Sequence, residues 1–397
     1  MLGGLGLVAA PMLNLGRCRL LAQSPIEVST RAIDAVLGST VIDMLSLLTL
    51  DWSKLFRWHQ RPEEFREEDF RRLETSGVQI FHPAVETSEN DAYKGALLWI
   101  AGWNKLLAGR GCFLARIDSI TDLLLTPRLG KIGVLIGFQN SNHFRTRADV
   151  EGFYRLGQRV SQLTYNGRNR IGSGCYEARD RGLTPFGAEV IAEMNRVGMA
   201  VDVSHCGERT SREAIAHSRR PVLVTHANCK ALVPGQPRCK SDELIRLLAR
   251  GGGVMGITLV RAFVGRSRAP TAKDLLDHFD HVAKLAGVEH VGLGSDVDFD
   301  AFDPRTGQPR PFYSIRGIDL PARVFQIADG LLRRGYTERH LQLVLGGNFL
   351  RALTAVFPDS SWSIVPERER RRDPFCPAPR RVGPAPLSTS GRAGARG

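Results

Sequence analysis

Short apolar runs alternate along this chain with longer stretches in which apolar and charged positions recur every three or four residues. Eight runs stand out: "STVIDML" (39–45), "GVQIFHPAV" (77–85), "KIGVLIGFQN" (131–140), "RVSQLTYN" (159–166), "GMAVDVSH" (198–205), "RPVLVTHAN" (220–228), "GGGVMGITL" (251–259) and "EHVGLGSDVD" (289–298). Most are near-continuously apolar and rich in Val and Ile, the pattern of strands covered on both faces in a parallel sheet. The stretches between them carry helix signals. "PEEFREEDFRRLETSG" (62–77) has an acidic start, a basic later turn and a closing Gly, and "SDELIRLLARGG" (241–252) opens on a Ser-Asp cap. "TAKDLLDHFDHVAKLAG" (271–287) repeats Leu and Val at helical spacing. Strand, loop and helix recurring eight times predict an α/β fold, a (β/α)₈ TIM-type barrel. A doubly wound open sheet is the runner-up, but no GxGxxG opens a helix after the first strand.

In such a barrel the carboxyl ends of the strands face the active site. The runs end in Asp43, His82, Gln139 with Asn140, Tyr165 with Asn166, His205, His226 with Asn228, Thr258, and Asp296 with Asp298. Two His from adjacent strands and an Asp from a later one form a metal-site pattern, since neutral imidazole and carboxylate suit zinc and similar divalent ions. Such an ion lowers the pKa of a water and polarises a carbonyl. His278, His281, His290 and His340 fall on helices or their edges and read as ordinary surface or core residues.

Composition trims this picture rather than redrawing it. The 397 residues are 43% hydrophobic and 24% charged, which are globular values. The net charge of +13 invites a nucleic-acid reading, but the segment from residue 359 onward holds eight Arg against four acids. That Arg/Pro-rich stretch cannot bury enough apolar surface to offset its ordering entropy, so a disordered tail is expected over 359–397, and no nucleic-acid partner. Seven Cys without a CxxC pair argue against a disulfide-built fold, and Cys206 and Cys229 read as small buried fillers. The N-terminal "MLGGLGLVAAPMLNLGRCRLLAQS" is too short, and too broken by Pro11, to span a bilayer. Two readings stay open for residues 1–34: the apolar part of an export signal, or an arm packed on the domain. The first makes the protein exported or periplasmic, the second cytoplasmic. No other run approaches membrane length. The barrel is expected over residues 35–358.

Four long stretches carry a resemblance. "GLTPFGAEVIAEMNRVGMAVDVSHCGERT", "VLVTHANCKAL…PRCKSDE", "DHFDHVAKLAGVEHVGLGSDVD" and "LVLGGNFLRAL" resemble the renal or membrane dipeptidase family, peptidase family M19, over roughly residues 35–357. The resemblance implies a (β/α)₈ barrel with a two-metal site, usually zinc. It also implies cleavage of dipeptides, with D-residues tolerated at the C-terminal position and β-lactams hydrolysed by some members. It makes His205 and His226 the ligands of the second metal. Arg238 in "GQPRCK" becomes the clamp on the substrate carboxylate, and Asp296 the group that handles the proton of the metal-bound water.

Three departures from the family pattern bear on activity. The first strand of the family supplies a His and an Asp to the first metal; here Asp43 remains, but Leu45 and Leu47 stand at the ligand positions. The bridging Glu of the third strand is Gln139, and a substrate-contacting His is replaced by Tyr165. Leu offers no lone pair, and a neutral amide bridges two dications poorly. The expectation is therefore a metal-dependent dipeptidase-like hydrolase holding one Zn²⁺ per chain on His205 and His226. Gln139, Asp43 and His143 are secondary ligand candidates, Asp296 is the catalytic group, and Arg238 and Tyr165 meet a small dipeptide-like substrate. Two alternatives stand beside it: a degenerate barrel that binds a small peptide or amino-acid derivative without hydrolysis, and a one-metal amidohydrolase acting on another amide or lactam. The chain can also pair as a homodimer.

Overall fold

Eleven short parallel strands form one sheet in a computed structural model that describes residues 27–87, 91–297 and 310–358. In chain order they are β1 (Ile42–Asp43), β2 (Ile80–Phe81), β3 (Ala84–Val85), β4 (Leu114–Arg116), β5 (Ile132–Val134), β6 (Gly137–Phe138), β7 (Val160–Gln162), β8 (Ala200–Asp202), β9 (Leu223–Ala227), β10 (Val254–Ile257) and β11 (Val291–Leu293). β2 and β3 are two halves of one run, as are β5 and β6. The first halves pair with each other, and so do the second halves. β1 pairs with both β2 and β11, so Asp43 lies in register with Phe81 on one side and Leu293 on the other. Pairing then continues β6–β7–β8–β9–β10–β11. Eight runs thus close on themselves, and the expected (β/α)₈ barrel is the observed fold.

Run 77–85 breaks at Pro83, which has no N–H to give to a ladder. Its carbonyl still accepts from Gly137 N at 3.4 Å. One strand lies outside the eightfold repeat: β4 pairs only with β5. Only its first residue, Leu114, is buried, so it lacks the continuous apolar signature of the other strands. It follows the helix Ala92–Gly109, whose buried residues Ala92, Ala96, Trp99, Trp103 and Leu106 recur at helical spacing.

The first described helix, Thr30–Leu37, runs across the boundary expected at residue 34. Ser29 caps it, accepting from Ala32 N, and donates its Oγ proton to Asp329 on the helix Arg323–Arg333. Val36 packs in the same core as Phe325. The tail expected over 359–397, most of the N-terminal arm and Asp298 lie outside the described residues. Among the described residues no helix is long and apolar enough to cross a membrane.

Candidate active site at the carboxyl ends of the strands

The sequence places Asp202 at the end of β8 and Thr225 inside β9, and folding ties them together. Asp202 Oδ1 accepts from Ser204 N at 2.9 Å, Ser204 Oγ at 2.5 Å and Thr225 N at 3.0 Å, while its Oδ2 accepts from Thr225 Oγ1 at 2.7 Å. A buried carboxylate with four donors is well compensated, and it sets the register of the two loops that carry His205 and His226. Because Thr225 Oγ1 gives its proton to Asp202, it accepts from His226 Nδ1 at 2.8 Å. Asn166 Oδ1 accepts from His205 Nδ1, also at 2.8 Å. Both Nδ1 atoms therefore carry the proton, and both Nε2 atoms present a lone pair.

Those two Nε2 atoms face each other at 3.1 Å. Burial, and then the Arg238 guanidinium, push both imidazoles well below the usual histidine range, so both stay neutral. Two neutral nitrogens with opposed lone pairs are a pair waiting for a cation. A span of 3.1 Å is what two Zn–N bonds of ~2.0–2.1 Å close over at an angle of about 100°. The orienting partners on both Nδ1 atoms are the usual outer support of metal-binding histidines. The pair fits one divalent ion.

The residues at the first-metal positions of the family pattern are already engaged or apolar. Asp43, fully buried, is filled by other partners. Its Oδ1 accepts from Ser295 N at 2.8 Å and Leu45 N at 3.4 Å. Its Oδ2 accepts from Ser295 Oγ and from Arg323 at 3.1 Å, and Arg323 is itself fully buried. Leu45 and Leu47 are buried hydrophobic residues. Gln139 turns its amide nitrogen to Ala84 O at 3.0 Å. His143 is not at the site at all: its ring lies among Phe138, Phe144 and Phe153, with Nε2 on Gln158 at 3.0 Å. Asp43, expected as a replacement ligand, is thus held in a buried ion pair, and His143, expected likewise, in an aromatic pocket. Among the described residues no group of three His, Cys, Asp or Glu is placed to hold an ion.

Tyr165 stacks on His205, ring centroids 4.3 Å apart and 21° from parallel. Burial, then the nearby Asp296 and Glu86, push its hydroxyl up to about 12, so it stays protonated. Asp296 has a left-handed backbone, φ 58°, which is uncommon for a residue with a Cβ. Its N–H donates to Leu45 O at 2.7 Å. Burial pushes its carboxyl up to about 7, with Arg238 opposing and Asp43 adding to the rise. A carboxyl poised there can give or take a proton near neutral pH.

This shift has a consequence for stability. With a folded pKa near 7 and an unfolded value of ~3.9, the folded chain holds a proton that the unfolded chain releases. The contribution is fully present below about pH 4 and is lost as pH rises to 7. In chelator-treated protein, Tm should therefore fall between pH 5 and 7 more steeply for the native chain than for Asp296→Asn. Equal slopes would mean that water reaches the carboxyl.

Arg238 is fully buried. Its terminal nitrogens donate to Ser204 O at 2.6 Å and His226 O at 2.7 Å, bridging the two histidine loops. Its Nε–H has no partner, and no carboxylate pairs with it among the described residues. Lys240, also buried, donates to Val203 O and Cys206 O, and burial together with Arg238 lowers its pKa. Two buried cations thus stand beside the histidine pair, each hydrogen-bonded to backbone carbonyls. Reasoning from strand ends had missed Lys240 and Arg323, which lie on a loop and a helix; Asn166 was visible as a strand-end residue but not as the partner of His205. Cys175, Cys206, Cys229 and Cys239 are free and buried.

A family model described as "Membrane dipeptidase (Peptidase family M19)" matches residues 41–359. "Dipeptidase verJ" of Clonostachys rogersoniana is 32% identical over 235 residues, covering 58% of this chain and 56% of that protein. An "Uncharacterized dipeptidase" of Schizosaccharomyces pombe is 37% identical over 244 residues, covering 59% and 56%. The chain therefore spans about half the length of these relatives. A crystal structure of an amidohydrolase from Pseudomonas aeruginosa superposes with a TM-score of 0.68 at 30% identity, covering 82% of this chain and 99% of that one.

Proposed function

The chain belongs to the membrane dipeptidase family, peptidase family M19, and from that premise we propose that it is a metal-dependent hydrolase of short peptides that uses one divalent ion, zinc in the first instance. The observation that carries the proposal is the pair of neutral imidazoles with opposed Nε2 lone pairs 3.1 Å apart at the mouth of the barrel. His205 and His226 would hold the ion through their Nε2 atoms. When bound, the ion supplies a water of lowered pKa and polarises the amide carbonyl. Asp296 accepts the proton released as water adds to that carbonyl and returns it to the leaving amine as the C–N bond breaks. Arg238 offers the unpartnered Nε–H and its charge to the free carboxylate of the substrate, which favours short peptides. Tyr165 packs against His205 and holds its plane. The filled Asp43 and the Leu45/Leu47 pair support a count of one ion rather than two.

Elemental analysis of purified protein, combined with a screen of dipeptides, N-acyl amino acids and lactams, tests this reading. One equivalent of metal with dipeptide turnover supports it. One equivalent with turnover only of acyl amino acids or lactams moves the chain to another amide substrate. No metal and an inert screen would favour a barrel that binds without hydrolysis, as the missing ligands on the first strand suggest.

Arg238 can be separated from the rest. Arg238→Lys keeps the charge and loses the planar fork. Binding of a free-acid dipeptide should weaken by ~1.5–3 kcal/mol, as for hydrogen bonds to charged groups, while the amidated peptide changes less. If both weaken equally, Arg238 only positions the histidine loops.

A further inference from the structure

Next to the histidine site lies a pocket of about 410 Å³, within the size range of small-ligand sites. One wall, residues 233–236, follows β9; the other, residues 261–268, follows β10. The pocket therefore opens on the same face of the barrel as His205 and His226. Arg261, Arg266 and Arg268 line it, and no acidic residue does among the described residues. None of the three guanidinium groups has a carboxylate or carbonyl partner among the described residues. Some other surface arginines find partners, as Arg209 does with Glu213, Arg212 with Glu208 and Arg334 with Asp280, whereas Arg246 and Arg250 stand alone among the described residues on a helix face rather than around a concavity. Three like charges around one concavity repel each other, and an anion placed among them relieves that repulsion.

The walls of this pocket are also the segments that hold Arg238. Gln236, in the first wall, accepts from Arg238 N at 3.3 Å and from Tyr176 OH at 3.1 Å through its Oε1. Phe263, which follows Ala262 of the second wall, lies beneath the Arg238 guanidinium at 5.6 Å. One buried cation beside the histidines and three unpaired ones around the adjoining pocket match a ligand with two anionic groups.

We propose that the Arg261/Arg266/Arg268 pocket receives a second anionic group of the substrate, so that the protein selects peptides whose C-terminal residue has an acidic side chain. The word "substrate" rests on the hydrolase reading above; the binding preference does not.

Calorimetry on chelator-treated protein tests the preference without turnover, with Ala-Ala, Ala-Asp and Ala-Glu as probes. The acidic peptides should bind about tenfold more tightly than Ala-Ala, the factor that ~1.4 kcal/mol represents. The gain should shrink with added salt. In Arg261→Gln/Arg266→Gln/Arg268→Gln it should vanish, and in Arg266→Gln alone it should fall part of the way. Equal affinities in the native chain, or equal losses for Ala-Ala and Ala-Glu in the triple variant, would overturn the proposal. So would inorganic phosphate or an acidic polymer that binds through these arginines without competing with Ala-Glu. A chain that binds Ala-Glu selectively but cleaves no peptide would refute the hydrolase reading and leave the pocket standing.

Discussion

Arg323→Met is expected to lower the unfolding free energy by about 3–5 kcal/mol, the cost of removing one partner of a buried ion pair. Arg323 and Asp43 are both 0% exposed in their side chains. With the guanidinium gone, Asp43 keeps Ser295 and Leu45 as donors but loses its only charged partner among the described residues. Met fills most of the volume, so the loss is electrostatic rather than a cavity effect. Asp43→Asn added to Arg323→Met should recover much of it, because the amide oxygen can still accept from Ser295 N. Urea titrations of the three proteins decide the matter through their midpoints at constant slope. A loss under about 1 kcal/mol for the single variant would mean that water enters and screens the pair.

The second large effect concerns the ion. His205→Ala should abolish stoichiometric metal, because with no group of three ligating side chains among the described residues an ion on His226 alone has little to hold it. Asn166→Ala is the subtler change. It leaves both imidazoles but frees the His205 ring from the bond that fixes its tautomer, and outer partners of this kind are worth about 10–100-fold in affinity. Zinc per chain, measured at rising chelator concentration, should rank native above Asn166→Ala above His205→Ala. Two equivalents in the native chain would show that the first strand finds ligands after all. Retention of zinc in His205→Ala would place the ion elsewhere.

Much of the site was legible because strand chemistry is local. A continuous Val/Ile run that stops at a polar residue already says which residue crowns the strand, as with His226 at the end of "VLVTH" and Asp296 after "VGLGS". The same logic brought out Tyr165 and Asp43, but it could only say that they sit on the right face. Asp43 lies at the expected strand end, but its charged partner comes from a helix 280 residues away. His143 follows Gln139 by four residues, but the chain turns after β6 and carries its ring behind the strand into a cluster of Phe.

The alternation of apolar runs and amphipathic stretches by itself determined the barrel and placed His205 and His226 at the carboxyl ends of neighbouring strands. These follow from continuous apolar runs, from the 3.6-residue period between them and from where each run ends, which are properties of neighbouring residues. Only the tertiary structure decided which polar groups have already spent their hydrogen bonds. Asp43 is filled, Arg238 lacks an anion, and the two Nε2 atoms face each other. These outcomes depend on the distance between side chains brought together by barrel closure, and distance across a barrel is not written in any local pattern.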